Sequence, residues 1–162
     1  MASQAQGVLN TPLETLAAEQ QANRRLLELL QSEQALLISA KIDGLVAIVE
    51  EKSTIVARMT QLAERRYQLL KQYGFAASED GMQVWLKSPD VADQTRHLWR
   101  SMLDTARAGK EINRTNGMLI NKQMMHGQNA LNILRGQSGE TSFYGPNGQA
   151  TSFGSSRGFV LG

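Results

Sequence analysis

The two histidines, His97 and His126, come first among residues that could do chemistry, because a helical chain with inward-facing Glu-x-x-His pairs can hold a di-iron centre. Three places upstream of them stand Gln94 and Gln123. A carboxamide cannot replace the ligating carboxylate, so both histidines are read as surface or edge residues. Lys52-Ser53 carries the terminal pair of a phosphate-binding loop, but Glu51 occupies the position where that loop requires glycine. The surrounding residues also follow a helical pattern. No G-x-G-x-x-G occurs, and the paired carboxylates Glu50-Glu51 and Glu79-Asp80 lie in polar, solvated settings. The chain has no cysteine, which excludes disulfides, Cys-ligated zinc or iron–sulfur sites and a thiol nucleophile. Asn113-Arg114-Thr115 matches a glycosylation sequon. Residues 1–7 have neither the basic start nor the apolar run of a secretory signal, so that match is taken as chance. No catalytic residue, cofactor or metal is assigned, and the expectation is a protein that is not an enzyme.

Two charged residues fall on an otherwise apolar seam. Stepping by three and four from Leu45 gives Ile48, Lys52, Ile55, Met59, Leu62, Arg66, Leu69 and Tyr73. Lys52 and Arg66 are read as long stems covering apolar surface with their heads in water; the alternative is that they set helix register against acidic partners. Met118, Met124 and Met125 are read as packing residues, or alternatively as a surface adaptable to varied apolar partners.

The elements that carry these residues are helices. Thr11-Pro12-Leu13-Glu14 places a hydroxyl at the N-cap, proline at N1 and glutamate at N3, the pattern of a capping box. A first helix is predicted over 12–38 and a second over 42–73, ending at Gly74 as the residue after the cap. At 1.5 Å per residue they would be about 40 Å and about 48 Å long. A short helical turn is expected at 78–87, around Trp85. Ser88-Pro89-Asp90 then restarts a helix by the same cap-plus-proline logic, predicted over 89–135. Its second half holds Gly109, Asn113, Asn116, Gly117, Gly127, Asn129 and Asn132, all poor helix formers. That half is expected to be marginal alone and to depend on contacts for its order.

From Gly136 the composition breaks, with seven of the 14 glycines lying in the last 27 residues, which reads as a flexible tail. It nevertheless keeps Phe143, Tyr144, Phe153 and Phe159. The predicted fold is all-α: an elongated antiparallel bundle of three long helices, possibly with a short fourth, twisted left-handed. A bundle domain over 1–135 precedes a Gly/Ser-rich tail over 136–162. The 162 residues suit one domain.

Charge narrows the partners. Lys and Arg number 17 against 15 acidic residues, and the basic doublets Arg24-Arg25 and Arg65-Arg66 lie inside helical patterns. A nucleic-acid binder would concentrate its positive charge, so none is expected. No stretch approaches the roughly 20 apolar residues of a membrane span. The chain is read as soluble and cytoplasmic. The wide apolar stripe would close on itself or recruit a second copy, which leaves a homo-oligomer open.

Several segments together resemble a known family. The run Leu26-Leu27-Glu28-Leu29-Leu30, then Glu33-Gln34-Ala35-Leu36, Leu45, Glu51-Lys52, Leu62 and Arg66 is similar to the FlgN family of flagellar export chaperones. So are Asn113-Arg114-Thr115-Asn116-Gly117 and the tail segment Tyr144-Gly145-Pro146-Asn147-Gly148-Gln149. The leucine spacings would suit any bundle; the two later motifs in that order are more telling. The resemblance spans about 12–150, matches helix 1 only loosely at Gln20 and Asn23, and leaves the last dozen residues unplaced.

That resemblance implies a cytoplasmic chaperone of flagellar type III secretion. It would hold hook–filament junction proteins by their C-terminal helical segments, deliver them to components of the export apparatus and hydrolyse no nucleotide. It also places client binding toward the C-terminus, in the segment carrying Asn113, Asn116, Gly117 and Tyr144. Residues 109–135 are expected to finish folding, or to repack, against an amphipathic client helix. Ile120, Met124, Leu131 and Leu134 would supply apolar contact, Gly117 and Gly127 would permit close approach, and Phe143 and Tyr144 would close over the edge. The alternative is a generic coiled-coil adaptor that binds through the bundle itself.

Overall fold

The computed structural model describes residues 11–138. Among them are four helices and no strand: α1 (Pro12–Ile38), α2 (Leu45–Gln72), α3 (Glu79–Leu86) and α4 (Asp93–Ser138). The fold is all-α, and the short fourth helix is present as α3. The chain divides into two units, one reaching Ile120 and the other starting at Asn121.

α1 starts where its capping box predicts. Thr11 Oγ1 accepts from the Glu14 N–H at 3.2 Å, and Glu14 Oε2 accepts from the Thr11 N–H at 3.1 Å. At its end the Lys41 N–H reaches the Leu36 carbonyl and the Ala40 N–H the Leu37 carbonyl, a Schellman pair. Ala40 therefore adopts a left-handed φ of 52°. Gly44 is also left-handed, and together these residues reverse the chain. α2 accordingly begins at Leu45, where its three-four spacing starts and three residues later than the predicted boundary at 42. α2 ends by the same device, with Gly74 at φ 83° and the Phe75 N–H bonded to the Leu70 carbonyl.

The expected helix start at Ser88-Pro89-Asp90 is corrected. There the Val91 N–H bonds to the Ser88 carbonyl, a tight turn with proline at the second position, where its fixed φ also fits. Arg96 holds that turn, donating from Nε to the Leu86 carbonyl at 2.8 Å and from Nη2 to the Ser88 carbonyl at 3.0 Å. α4 begins only at Asp93 and continues to Ser138, three residues beyond the expected end.

The core of the first unit gathers Leu16 of α1, Leu70 of α2, Met82 and Leu86 of α3, and Trp99 and Met102 of α4, with Val91 from the turn. α3 approaches closely: a Cβ on Gly81 would lie 1.9 Å from the Ala76 carbonyl oxygen, so only glycine fits there. α1 and α2 run antiparallel, as two ion pairs show. Glu19 meets Arg66 and Glu33 meets Lys52, fourteen residues forward on one helix and fourteen back on the other, or two heptads. Gln20 bonds to Ser101, and Glu33 to Asn116, so α4 runs parallel to α1.

Candidate partner-binding surfaces

α3 reaches only part of the first unit. Beyond it, α1, α2 and α4 leave an open groove of about 340 Å³, floored by Leu26, Leu27 and Leu30, with Val56 and Met59 on one side and Ala106, Gly109 and Asn113 on the other. Small residues on α4 make the room. A Cβ on Gly109 would sit 3.6 Å from Leu30 Cδ1, an ordinary contact, and Ala106 offers only a methyl group.

A polar clasp joins all three long helices beside this groove. Lys52 Nζ lies 3.0 Å and 2.9 Å from the two Glu33 carboxylate oxygens. Asn116 Nδ2 donates to Glu33 Oε2 at 2.8 Å and to the Leu30 carbonyl at 2.9 Å. The clasp uses the second Glu33 oxygen twice, so the carboxylate cannot leave without breaking contacts to two helices.

A second ionic tie is buried deeper. Arg66 Nε donates to Glu19 Oε1 at 2.8 Å, both side chains being more than nine-tenths covered. The Arg66 guanidinium also sits 4.6 Å from the Tyr67 ring centre and 5.1 Å from that of Trp99, so aromatic faces replace part of its lost hydration. Burial pushes the Glu19 carboxyl above its ordinary range, against the pull of the Arg66 hydrogen bond and charge. Lys52 and Arg66 thus follow the second of the two sequence expectations, pairing with acids across helices, and Arg66 keeps its head out of water.

In the second unit, every residue over 121–136 is exposed. Met124 and Leu131 stand 62% and 55% accessible, and Met125, Ile133 and Leu134 are comparably open. Met124, Leu131 and Leu134 are spaced by seven and three, which places them on one side of a helix at 100° per residue. Gly127, between them on that side, has no atom within 4 Å of a built Cβ.

The residues expected to touch a partner therefore occupy different settings. Asn113 lines the groove and is exposed. Asn116 is 1% exposed, and its amide is spent inside the bundle on Leu30 and Glu33. Gly117 is open, and Ile120 is 39% exposed at the end of the first unit. Met124, Leu131 and Leu134 present apolar surface to solvent. Phe143 and Tyr144 lie outside the described residues. Sequence reasoning named Leu26, Leu27 and Leu30 in the family run and Met59 on the seam, but assigned neither them nor Val56 to a binding surface. The signal was Gly109, a seam position seven residues after Met102 and seven before Asn116, where a small residue must leave space.

His97 and His126 are both exposed. Among the described residues no group of three or more His, Asp or Glu is placed to hold a metal ion, and no helix is long and apolar enough to cross a membrane. What the two surfaces offer to solvent is largely apolar side chain.

Comparison with known proteins gives a consistent result. The family profile described as FlgN protein matches residues 1–152. The chain is 32% identical over 133 residues to the flagella synthesis protein FlgN of Yersinia enterocolitica, covering 76% of this chain and 83% of that one. It is 29% identical over 124 residues to the protein of the same name from Proteus mirabilis, covering 75% and 77%. With that of Salmonella typhimurium it shares 28% over 124 residues, with the same coverage. No solved structure matches the chain.

Proposed function

This chain belongs to the FlgN family, and from that premise we propose that it is a cytoplasmic export chaperone in flagellar assembly. It binds the C-terminal helical segments of hook–filament junction proteins and delivers them to the type III export apparatus. The relatives' shared name, flagella synthesis protein, supports the role in assembly. The observation that carries the client-binding part is the exposed apolar side of α4 in the second unit, Met124 with Leu131. Such a surface is costly in water, since apolar burial is worth about 25 cal/mol per Å², and an amphipathic client helix would recover that energy. The groove beside Asn113 offers apolar contact of the same kind in the first unit.

Release matters for a carrier as much as capture. A segment of exposed helix containing Gly127, Asn129 and Asn132 orders at a cost when a partner binds, which holds affinity down without loss of specificity. The chemistry required is recognition and transfer, with no bond made or broken.

The test uses the full chain carrying Met124→Glu and Leu131→Glu against the C-terminal helical peptide of a hook–filament junction protein. Because both side chains are exposed, the thermal midpoint should stay unchanged while affinity falls by roughly tenfold or more. Undiminished binding would overturn client capture by α4 and favour the adaptor alternative, in which substitutions on α1 or α2 would abolish contact instead.

A further inference from the structure

On the side of the α1–α2 pair away from the Asn113 groove lies a second cleft of about 500 Å³. No residue lines both. Its floor is Ala22 of α1 with Ile55 and Leu62 of α2, and its rim carries Arg24, Arg25 and Arg58. The small side chain of Ala22 keeps the cleft open between two helices that otherwise pack through leucines.

The rim charges are not equivalent. Arg25 donates from Nε to Glu51 at 2.7 Å and from Nη1 to Glu28 at 3.0 Å, so one guanidinium occupies both nearby carboxylates. Glu28 is also the sole acid in the lining. Among the described residues, neither Arg24 nor Arg58 has a hydrogen bond or ion pair. Two exposed guanidiniums, one on each helix, therefore flank an apolar floor with no acid left to answer them.

We propose that this cleft is a separate docking surface for an acidic amphipathic helix of a partner protein. The apolar edge of that helix would lie on Ala22, Ile55 and Leu62, and its carboxylates would engage Arg24 and Arg58. Guanidinium presents paired N–H donors matched to a carboxylate, and a pair of this kind fixes orientation as well as adding energy. Carboxylates three or four residues apart on one helix face can meet both arginines together. The assignment uses no residue of the α4 surface at Met124 and Leu131, so one partner could be held here while a client occupies α4.

The experiment measures binding of the full chain to synthetic amphipathic helical peptides that share one Leu/Ala edge and differ only in Glu or Lys flanks. The Glu-flanked peptide should bind wild type, bind Arg24→Glu/Arg58→Glu roughly tenfold or more weakly, and lose affinity as salt rises. The Lys-flanked peptide should show the reverse preference, which a folding defect cannot mimic. Met124→Glu/Leu131→Glu should leave both results unchanged, separating this surface from client capture. Equal binding of the two peptides to wild type would overturn the proposal. So would charge reversal that abolishes sedimentation with phosphatidylglycerol vesicles while leaving peptide binding intact.

Discussion

Asn116 of α4 donates its amide to the Glu33 carboxylate of α1 at 2.8 Å, on the same oxygen that Lys52 of α2 approaches at 2.9 Å. One carboxylate thus holds three helices in register, and Asn116 carries the α4 share of that work. Removing its side chain leaves the buried Leu30 carbonyl and Glu33 each short of a donor, a loss worth about 1–3 kcal/mol. Asn116→Ala should lower the unfolding free energy by that amount, read as a lower urea midpoint with an unchanged slope. Asn116→Asp should cost more, because it sets a second carboxylate against Glu33.

Arg66 and Glu19 form the other tie, and their stability depends on pH. Breaking a buried ion pair by removing one partner costs about 3–5 kcal/mol, so Arg66→Met should lose that much near neutrality. Glu19's carboxyl is raised above its ordinary value of 4.5, chiefly by burial. The folded chain therefore keeps a proton at pH values where the unfolded chain has released it. Glu19's stabilising contribution is complete below about pH 4.5 and is lost as pH rises through the higher folded value. Denaturation across that window should show the Arg66→Met penalty shrinking toward acid, where a neutral Glu19 needs no counter-ion. A penalty independent of pH would place the loss in packing against Tyr67 and Trp99 instead.

Much of this fold was legible from single residues whose local effect is strong. Thr11, Pro12 and Glu14 fix the start of α1, Gly74 ends α2, and the three-four spacing from Leu45 identifies the buried seam at Leu62, Arg66 and Leu69. What was not legible depended on which neighbour arrives from far away in sequence. Ser88-Pro89-Asp90 suits a turn as well as a helix start, and Arg96 reaching back to Leu86 and Ser88 decides the matter. Asn116 reads as a poor helix former because nothing local shows Glu33, 83 residues earlier, waiting for its amide. The apolar side of Met124 and Leu131 was legible as a candidate contact. The Asn113 groove was not, since small residues on α4 leave its room while its floor and wall come from α1 and α2, distant in sequence.

Ala40 pays for its place in the turn after α1. With φ at 52° it is the one non-glycine residue in the left-handed region among those described, a conformation that costs an L-residue about 1–2 kcal/mol. Glycine avoids most of that cost but loses more chain entropy on folding. Ala40→Gly should therefore stabilise by about 1 kcal/mol, read as a higher urea midpoint with an unchanged slope. Gly81→Ala should do the opposite, because its Cβ meets a backbone oxygen that no rotamer change can move.

The second unit offers the sharpest link between local stability and function. Residues 121–136 are all exposed, so little apolar burial supports their helix, and Gly127 weakens it by about 1 kcal/mol relative to alanine. Amide exchange there should be far faster than in α2 around Leu69 and Leu70, which are fully buried. Gly127→Ala meets no neighbouring atom within 4 Å, so its effect is confined to helix propensity. Exchange over 121–136 should slow by about fivefold, the factor that 1 kcal/mol sets at 25 °C, while exchange in α2 stays as it was. If this segment orders on binding a client helix, the same substitution removes part of the ordering cost. Affinity should then rise by up to a similar factor, mostly through slower dissociation, because differences among variants of one interface fall chiefly in that rate. Slower exchange without tighter binding would mean that Gly127 serves close approach of the client backbone, and the larger Gly127→Leu should then weaken binding further.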